Sequence, residues 1–143
     1  MNIAIILAAG GGARFESETP KQFVEIGNKK IIQYSIDAFE TSQLIDRIII
    51  VVSELFVDEI SAQYPDHMVV AGGNSRRESS YNGLLACPEG SKKVLIHDSA
   101  RPAPSRTIVN KIIYNLKKNH AVVPIIKIHD ATKRVKKNKI FKN

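Results

Sequence analysis

Apolar residues fall along this chain in short unbroken runs separated by segments of longer period. The first run covers residues 3–7 and ends in Ala8-Ala9-Gly10; others cover 47–52 (RIIIVV), 67–71 (HMVVA), 93–96 (KVLI) and 121–126 (AVVPII). Runs of this length without polar alternation predict strands buried on both faces. Between them, Ile31, Ile32, Ser35, Ile36 and Phe39 form one apolar helical stripe with a single small polar break. Ser105 reads as the N-cap of a second helix, whose stripe is Ile108, Val109, Ile112, Ile113 and Leu116. Residues 77–87, stopped by Pro88, and residues 56–63 predict two more. Strands that alternate with helices predict an α/β fold with a mostly parallel sheet. Residues 133–143 (KRVKKNKIFKN) read either as two short strands about a Lys-Lys-Asn turn or as a frayed end.

In parallel sheets, ligands bind outside the carboxyl ends of the strands. Order along the chain therefore tests where the chemistry lies. Gly10-Gly11-Gly12 follows the first run, Gly72-Gly73-Asn74 the third, and His97-Asp98 the fourth. All three polar or glycine-rich clusters are thereby expected on one rim.

Composition narrows the class. With 143 residues, 43% of them hydrophobic, the chain suits one domain, residues 1–143, with a true core. One cysteine, Cys87, excludes an intramolecular disulfide framework and a Cys-based zinc site. The first apolar run has no cationic leader and is too short to span a bilayer, so a soluble, cytoplasmic protein without a membrane partner is expected. The formal net charge of +7 invites a nucleic-acid reading, but its location argues otherwise. Residues 1–116 hold 12 basic and 13 acidic side chains, a net of −1, whereas residues 117–143 hold 9 basic and 1 acidic, a net of +8. The basic character belongs to the tail and not to the body.

The strongest local signal is LAAGGGAR, from Leu7 to Arg14, followed by Pro20-Lys21-Gln22. Glycines after a buried strand let backbone N–H groups approach an anion, and such a nest binds phosphate. The loop is not a P-loop, and Phe15 stands where a dinucleotide fingerprint needs its third glycine. A plain structural turn stays open on the glycines alone; Arg14 and Lys21 add two cations able to neutralise phosphate charge. The second cluster, GGNSRRES, offers close backbone approach and polar groups suited to a base or ribose, although Ser79 also fits the first turn of a helix. The third, HDSARP, sets Asp98 and Arg101 past a strand, where they serve a ribose, a metal or a phosphate, or else pair with each other to pin the loop. His97 fits a packed, hydrogen-bonded residue better than a catalytic one.

Taken together, LAAGGGARF, PKQF, GGNSRRESSYNGL and HDSARP resemble the 2-C-methyl-D-erythritol 4-phosphate cytidylyltransferase family, sugar-phosphate cytidylyltransferases that include ribitol-phosphate enzymes. PIIKIHDATKRV is a weaker match. The resemblance implies a Rossmann-like, three-layer nucleotidyltransferase fold, and transfer of CMP from CTP to a sugar-alcohol phosphate with Mg²⁺ and release of pyrophosphate. It implies that Arg14 and Lys21 stabilise the transition state and that Ala8, Ala9, Gly10 and Gly12 present backbone to the nucleotide. Gly73, Asn74 and Ser79 would surround cytosine and ribose, Asp98 would sit near ribose and metal, and Arg101 would order its loop. It further implies a homodimer joined through an arm between Asp130 and Val135, within residues 127–143.

The sequence departs from the family pattern in three places. Ala131 stands where the motif threonine belongs, with Thr132 one position late, and Ser79-Ser80 replaces a frequent Ser-Val pair. The chain also ends soon after Asp130, which implies a fold shortened at its C-terminus, with the CTP half present and much of the acceptor half absent. Two other readings follow: a nucleotide-binding remnant without turnover, and, ranked last, a basic RNA-binding protein. Aromatics at 6%, with no tryptophan and no RNA-module signature, give the last little support and no specific nucleic acid partner.

Overall fold

Strand β1 (Asn2–Ala8) is central to the sheet and buried along nearly its whole length. In the computed structural model, which describes residues 1–10, 19–102, 104–127, 134–136 and 139–141, it pairs in parallel with β4 (Arg47–Val52) on one side and β6 (Lys93–Asp98) on the other. Strand β5 (Met68–Ala71) extends the sheet beyond β4, giving the order β5-β4-β1-β6. Because alternate side chains leave a strand on opposite faces, each strand serves two cores. Ala4, Ile6, Ala8, Ile48, Ile50 and Val52 meet helices α1 (Ile31–Glu40), α2 (Val57–Gln63) and α4 (Arg106–Asn115). Ile3, Ile5, Leu7, Ile49 and Val51 face the other way, toward α3 (Arg76–Leu85) and the Ala86-Cys87 segment that follows it. The result is the expected three-layer α/β arrangement. Gly83 lets α3 lie close to the sheet: a Cβ there would stand 2.7 Å from Ile5 Cγ2 and 3.0 Å from Val51 Cγ2.

The chain fills the sheet outward from β1 through β4 to β5, then returns to the opposite side of β1 as β6. This reversal makes a crevice between the carboxyl ends of β1 and its neighbours, the usual ligand position in such sheets. The polar break in the α1 stripe, Ser35, is fully buried and shares a hydrogen bond of 3.2 Å with His97 Nε2.

Four features differ from the periodicity reading. Residues 121–126 form no strand: Val123, Ile125 and Ile126 are 77%, 89% and 89% exposed. Pro124 has no N–H to donate to a ladder, and among the described residues nothing pairs with this segment or with the outer edge of β6. A small hairpin, β2 (Glu25–Ile26) and β3 (Lys29–Lys30), turns at Gly27 with φ of 64° where no element was expected. The segment before α2 begins as a 3-10 turn at Glu54–Phe56. Helix α3 starts and stops earlier than the stripe implied. The tail forms an antiparallel pair, β7 (Arg134–Lys136) and β8 (Lys139–Phe141), the first of its two alternatives.

Candidate functional site

At the end of β1 the chain passes from buried Ala8 through Ala9 to exposed Gly10. Residues 20–23 then return to this point. Pro20 opens a 3-10 turn, Lys21–Phe23, whose three side chains take three different environments. Phe23 is buried, its ring centroid 4.8 Å from that of Phe56. Gln22, 5% exposed, donates from Nε2 to the carbonyl oxygens of Ala8 at 2.6 Å and Gly10 at 3.2 Å. Lys21 is exposed, beside the same strand end. Gly12 and Arg14 lie outside the described residues.

The second cluster joins the first directly. The N–H of Gly72 donates to Val52 O at 2.7 Å, continuing the β4–β5 ladder by one residue. A Cβ on Gly72 would fall 2.4 Å from Ala9 Cβ and 2.8 Å from Ser79 Oγ, so only glycine permits this contact. Ser79 is 4% exposed, and its Oγ accepts from the Gly73 N–H at 3.1 Å. Helix α3 is held at its start by Ser75, whose Oγ accepts from the Glu78 N–H at 3.1 Å. Glu78 Oε2 accepts in turn from the N–H of Asn74 at 2.8 Å, leaving the Asn74 side chain on the exposed rim. This is a variant of the reciprocal capping box.

Asp98 ends β6 and joins the third cluster to the second. Its Oδ1 accepts from Arg76 Nε at 2.9 Å, while Arg101 Nε stands 3.6 Å from Oδ2. Thus the Asp98–Arg101 pair exists, but Arg76, on the neighbouring cluster, is the shorter partner. The loop is tied back to β1 where the Ser99 N–H donates to Leu7 O at 3.0 Å. His97 packs edge-on against Phe39 with centroids 5.3 Å apart, and burial pushes its pKa below the ordinary imidazole value, so the neutral ring is favoured.

The structure therefore brings Ala8, Ala9, Gly10, Lys21, Gly73, Asn74, Ser79, Asp98 and Arg101 to one rim. Sequence reasoning had missed three supporting residues. Arg76 and Gln22 find their partners 22 and 12–14 positions away, a separation at which no local pattern operates. Glu78 was legible: Ser75 followed three residues later by Glu is a helix-start signature. An apolar cavity of about 790 Å³ lies between β6 and α4, lined by Phe39, Leu95, Ile108, Ile112 and Pro124 and reaching the rim at His97 and Arg101. Among the described residues, the rim offers exposed backbone at a strand end, the Lys21 ammonium, the Arg76 and Arg101 guanidinium groups, and the carboxylates of Asp98 and Glu78, the latter engaged with the Asn74 N–H. That set suits a phosphorylated ligand.

The model of the family described as 2-C-methyl-D-erythritol 4-phosphate cytidylyltransferase matches residues 2–143. Curated proteins of that description include one from Caldicellulosiruptor bescii, 39% identical over 137 residues, covering 92% of this chain and 61% of the relative. Another, from Clostridium acetobutylicum, is 45% identical over 122 residues, covering 80% of this chain and 51% of the relative. Among solved structures, the 4-diphosphocytidyl-2C-methyl-D-erythritol synthase of Anaerococcus prevotii superposes with a TM-score of 0.85 at 30% identity, over 97% of this chain and 61% of its own. The chain thus spans between half and two thirds of the length of these relatives.

Proposed function

The chain belongs to the 2-C-methyl-D-erythritol 4-phosphate cytidylyltransferase family, and from that premise we propose that it transfers CMP from CTP to 2-C-methyl-D-erythritol 4-phosphate in the cytoplasm. A phosphate oxygen of the acceptor attacks the α-phosphorus of CTP; a new P–O bond forms and the bond to the β-phosphate oxygen breaks, releasing pyrophosphate. Lys21, with Arg14, counters the charge that builds on the phosphate oxygens in the transition state. Ala8, Ala9, Gly10 and Gly12 present backbone to the nucleotide, and Gly73, Asn74 and Ser79 surround cytosine and ribose. The observation that carries this reading is the convergence of three separate motifs on one crevice, through the Ala9–Gly72–Ser79 contact and the Arg76–Asp98 bond.

Asp98 suits Mg²⁺ as a hard oxygen donor. Magnesium commonly takes one or two carboxylates and completes its shell with phosphate oxygens and water. Among the described residues, Oδ2 of Asp98 has the longer contact to Arg101 as its ion pair, and no group of three or more acidic, His or Cys side chains forms a protein-only cage. Asp98 would hold the ion jointly with CTP, and the ion would supply charge neutralisation on the phosphates. Arg101 keeps the loop ordered around it. The β7–β8 pair further supports an arm through which two copies associate.

Pyrophosphate release with CTP, Mg²⁺ and either 2-C-methyl-D-erythritol 4-phosphate or ribitol phosphate tests the reading. Turnover is expected with the former, and Lys21→Ala is expected to lower it by about 100- to 1,000-fold, the scale of one lost charge-stabilising donor. Calorimetric binding of CTP without turnover would mark a nucleotide-binding remnant, and absence of both overturns the proposal.

A further inference from the structure

Gln22 is a polar side chain buried at the foot of the candidate site, and the proposed chemistry gives it no role. Its carboxamide nitrogen bonds two backbone carbonyls, Ala8 and Gly10, on either side of the point where β1 becomes loop. A buried amide that donates twice fixes the orientation of both peptide units, because each peptide is planar. With the Ala8 carbonyl aimed at Gln22, the Ala9 N–H of the same peptide unit must point away from it. Backbone carbonyls accept and never donate, so the clamp specifically needs an N–H donor here; a carboxylate of the same shape would face two carbonyl oxygens with like partial charge.

Its neighbours explain what the clamp acts upon. Lys21, Gln22 and Phe23 share one tight turn, closed by the Phe23 N–H donating to Pro20 O at 2.8 Å. Phe23 anchors one side of the turn in the core, and Gln22 anchors the other to the end of β1. With both anchors set, the backbone of Lys21 is fixed beside Gly10. A lysine carries large rotamer entropy, so fixing its backbone removes part of the cost of aiming its ammonium at an anion.

We propose that Gln22 is a positioning residue: its carboxamide locks the end of β1 to the turn that carries Lys21, and so sets the lysine against the phosphates of a nucleoside triphosphate. The inference rests on the nucleotide reading above. The test uses CTP with Mg²⁺ as probe, calorimetric affinity as readout, and thermal melting beside it. Gln22→Met and Gln22→Glu keep the side-chain length and remove the donor; each is expected to weaken CTP binding about 10- to 100-fold. Gln22→Met is expected to do so with a cooperative melt retained. The deciding measurement is a double-mutant cycle with Lys21→Ala. If Gln22 acts through Lys21, at least half of its effect, in logarithmic units, disappears when the lysine is already absent.

Three results would overturn the inference. One is a fully additive cycle; another is wild-type affinity in both Gln22 variants; the third is loss of the cooperative melt in both, which would make Gln22 a folding residue. A wild-type chain that fails to bind CTP overturns the nucleotide reading itself. In that event, slow hydrogen exchange of the Gln22 side-chain amide, followed by NMR, still decides whether the clamp exists.

Discussion

Gly72 has no room for a side chain. The hydrogen bond from its N–H to Val52 O holds it in line with the sheet, and Ala9 and Ser79 close over the place where a Cβ would stand. Both obstacles are short, rigid groups, one a Cβ on the β1 exit and one a buried hydroxyl already bonded to Gly73. Gly72→Ala would relieve some unfolded-chain entropy, worth about 0.4–1 kcal/mol in favour of alanine. Overpacking a close contact costs about 1–3 kcal/mol, and with a 2.4 Å approach to Ala9 the steric effect wins. The expected outcome is a net destabilisation of about 1–2 kcal/mol, read as a lowered urea midpoint at unchanged m-value. An unchanged midpoint would mean that β1 and α3 separate freely at this point. At this scale the sequence was partly legible. Glycines after apolar runs marked the rim because close approach is a local demand on the backbone. Arg76 and Gln22 were not marked, because an ordinary Arg or Gln becomes a partner only when folding brings Asp98 or Ala8 to it.

At the scale of elements, the helices show where local chemistry suffices. Both α3 and α4 begin at a serine whose Oγ accepts from the N–H three residues on, Ser75 from Glu78 at 3.1 Å and Ser105 from Ile108 at 3.3 Å. Only α3 adds the return bond, from Asn74 N–H to Glu78 Oε2. Removing a serine cap costs about 0.5–2 kcal/mol. Ser75→Ala is expected at the upper end of that range and Ser105→Ala at the lower, since the carboxylate bond at Glu78 depends on the geometry that Ser75 sets. Denaturant titration of the two variants checks the order; equal losses would show that Glu78 works independently. The strand runs were legible to within two residues at β1, β4, β5 and β6, whose residues pair on the sheet. Residues 121–126 carried the same apolar signal and failed, because strand formation needs a neighbour as well as a pattern. The β2–β3 hairpin was missed for the opposite reason, having too few apolar positions for any period to register.

For the whole molecule, the sheet has two edge strands. On one side the outermost strand is the four-residue β5, with α2 packed beside it. On the other, β6 presents an outer edge with no strand beside it among the described residues, and Ile96 on it is 41% exposed. Val122 and Pro124 line one cavity with Ile96, and next to them in the chain Val123, Ile125 and Ile126 are largely exposed. An unpaired edge beside apolar side chains is a template for pairing with another chain, and apolar surface removed from water contributes about 25 cal/mol per Å². Opposing this is charge: the +8 of residues 117–143 repels its copy in a second molecule. Beyond a Debye length, about 8 Å at physiological salt, that repulsion is largely screened. Sulfate strengthens apolar burial as well. The chain is therefore expected to associate weakly in low salt and more strongly as sodium sulfate is added, seen as a concentration-dependent rise in weight-average sedimentation coefficient. Ile96→Lys places a charge on the edge itself, the device by which sheets discourage such pairing, and should shift association to about tenfold higher concentration while the melt is kept. Association that weakens with salt instead would assign it to the basic tail acting on the near-neutral body. Association that ignores Ile96→Lys would move it to the β7–β8 pair, the arm proposed to join two copies.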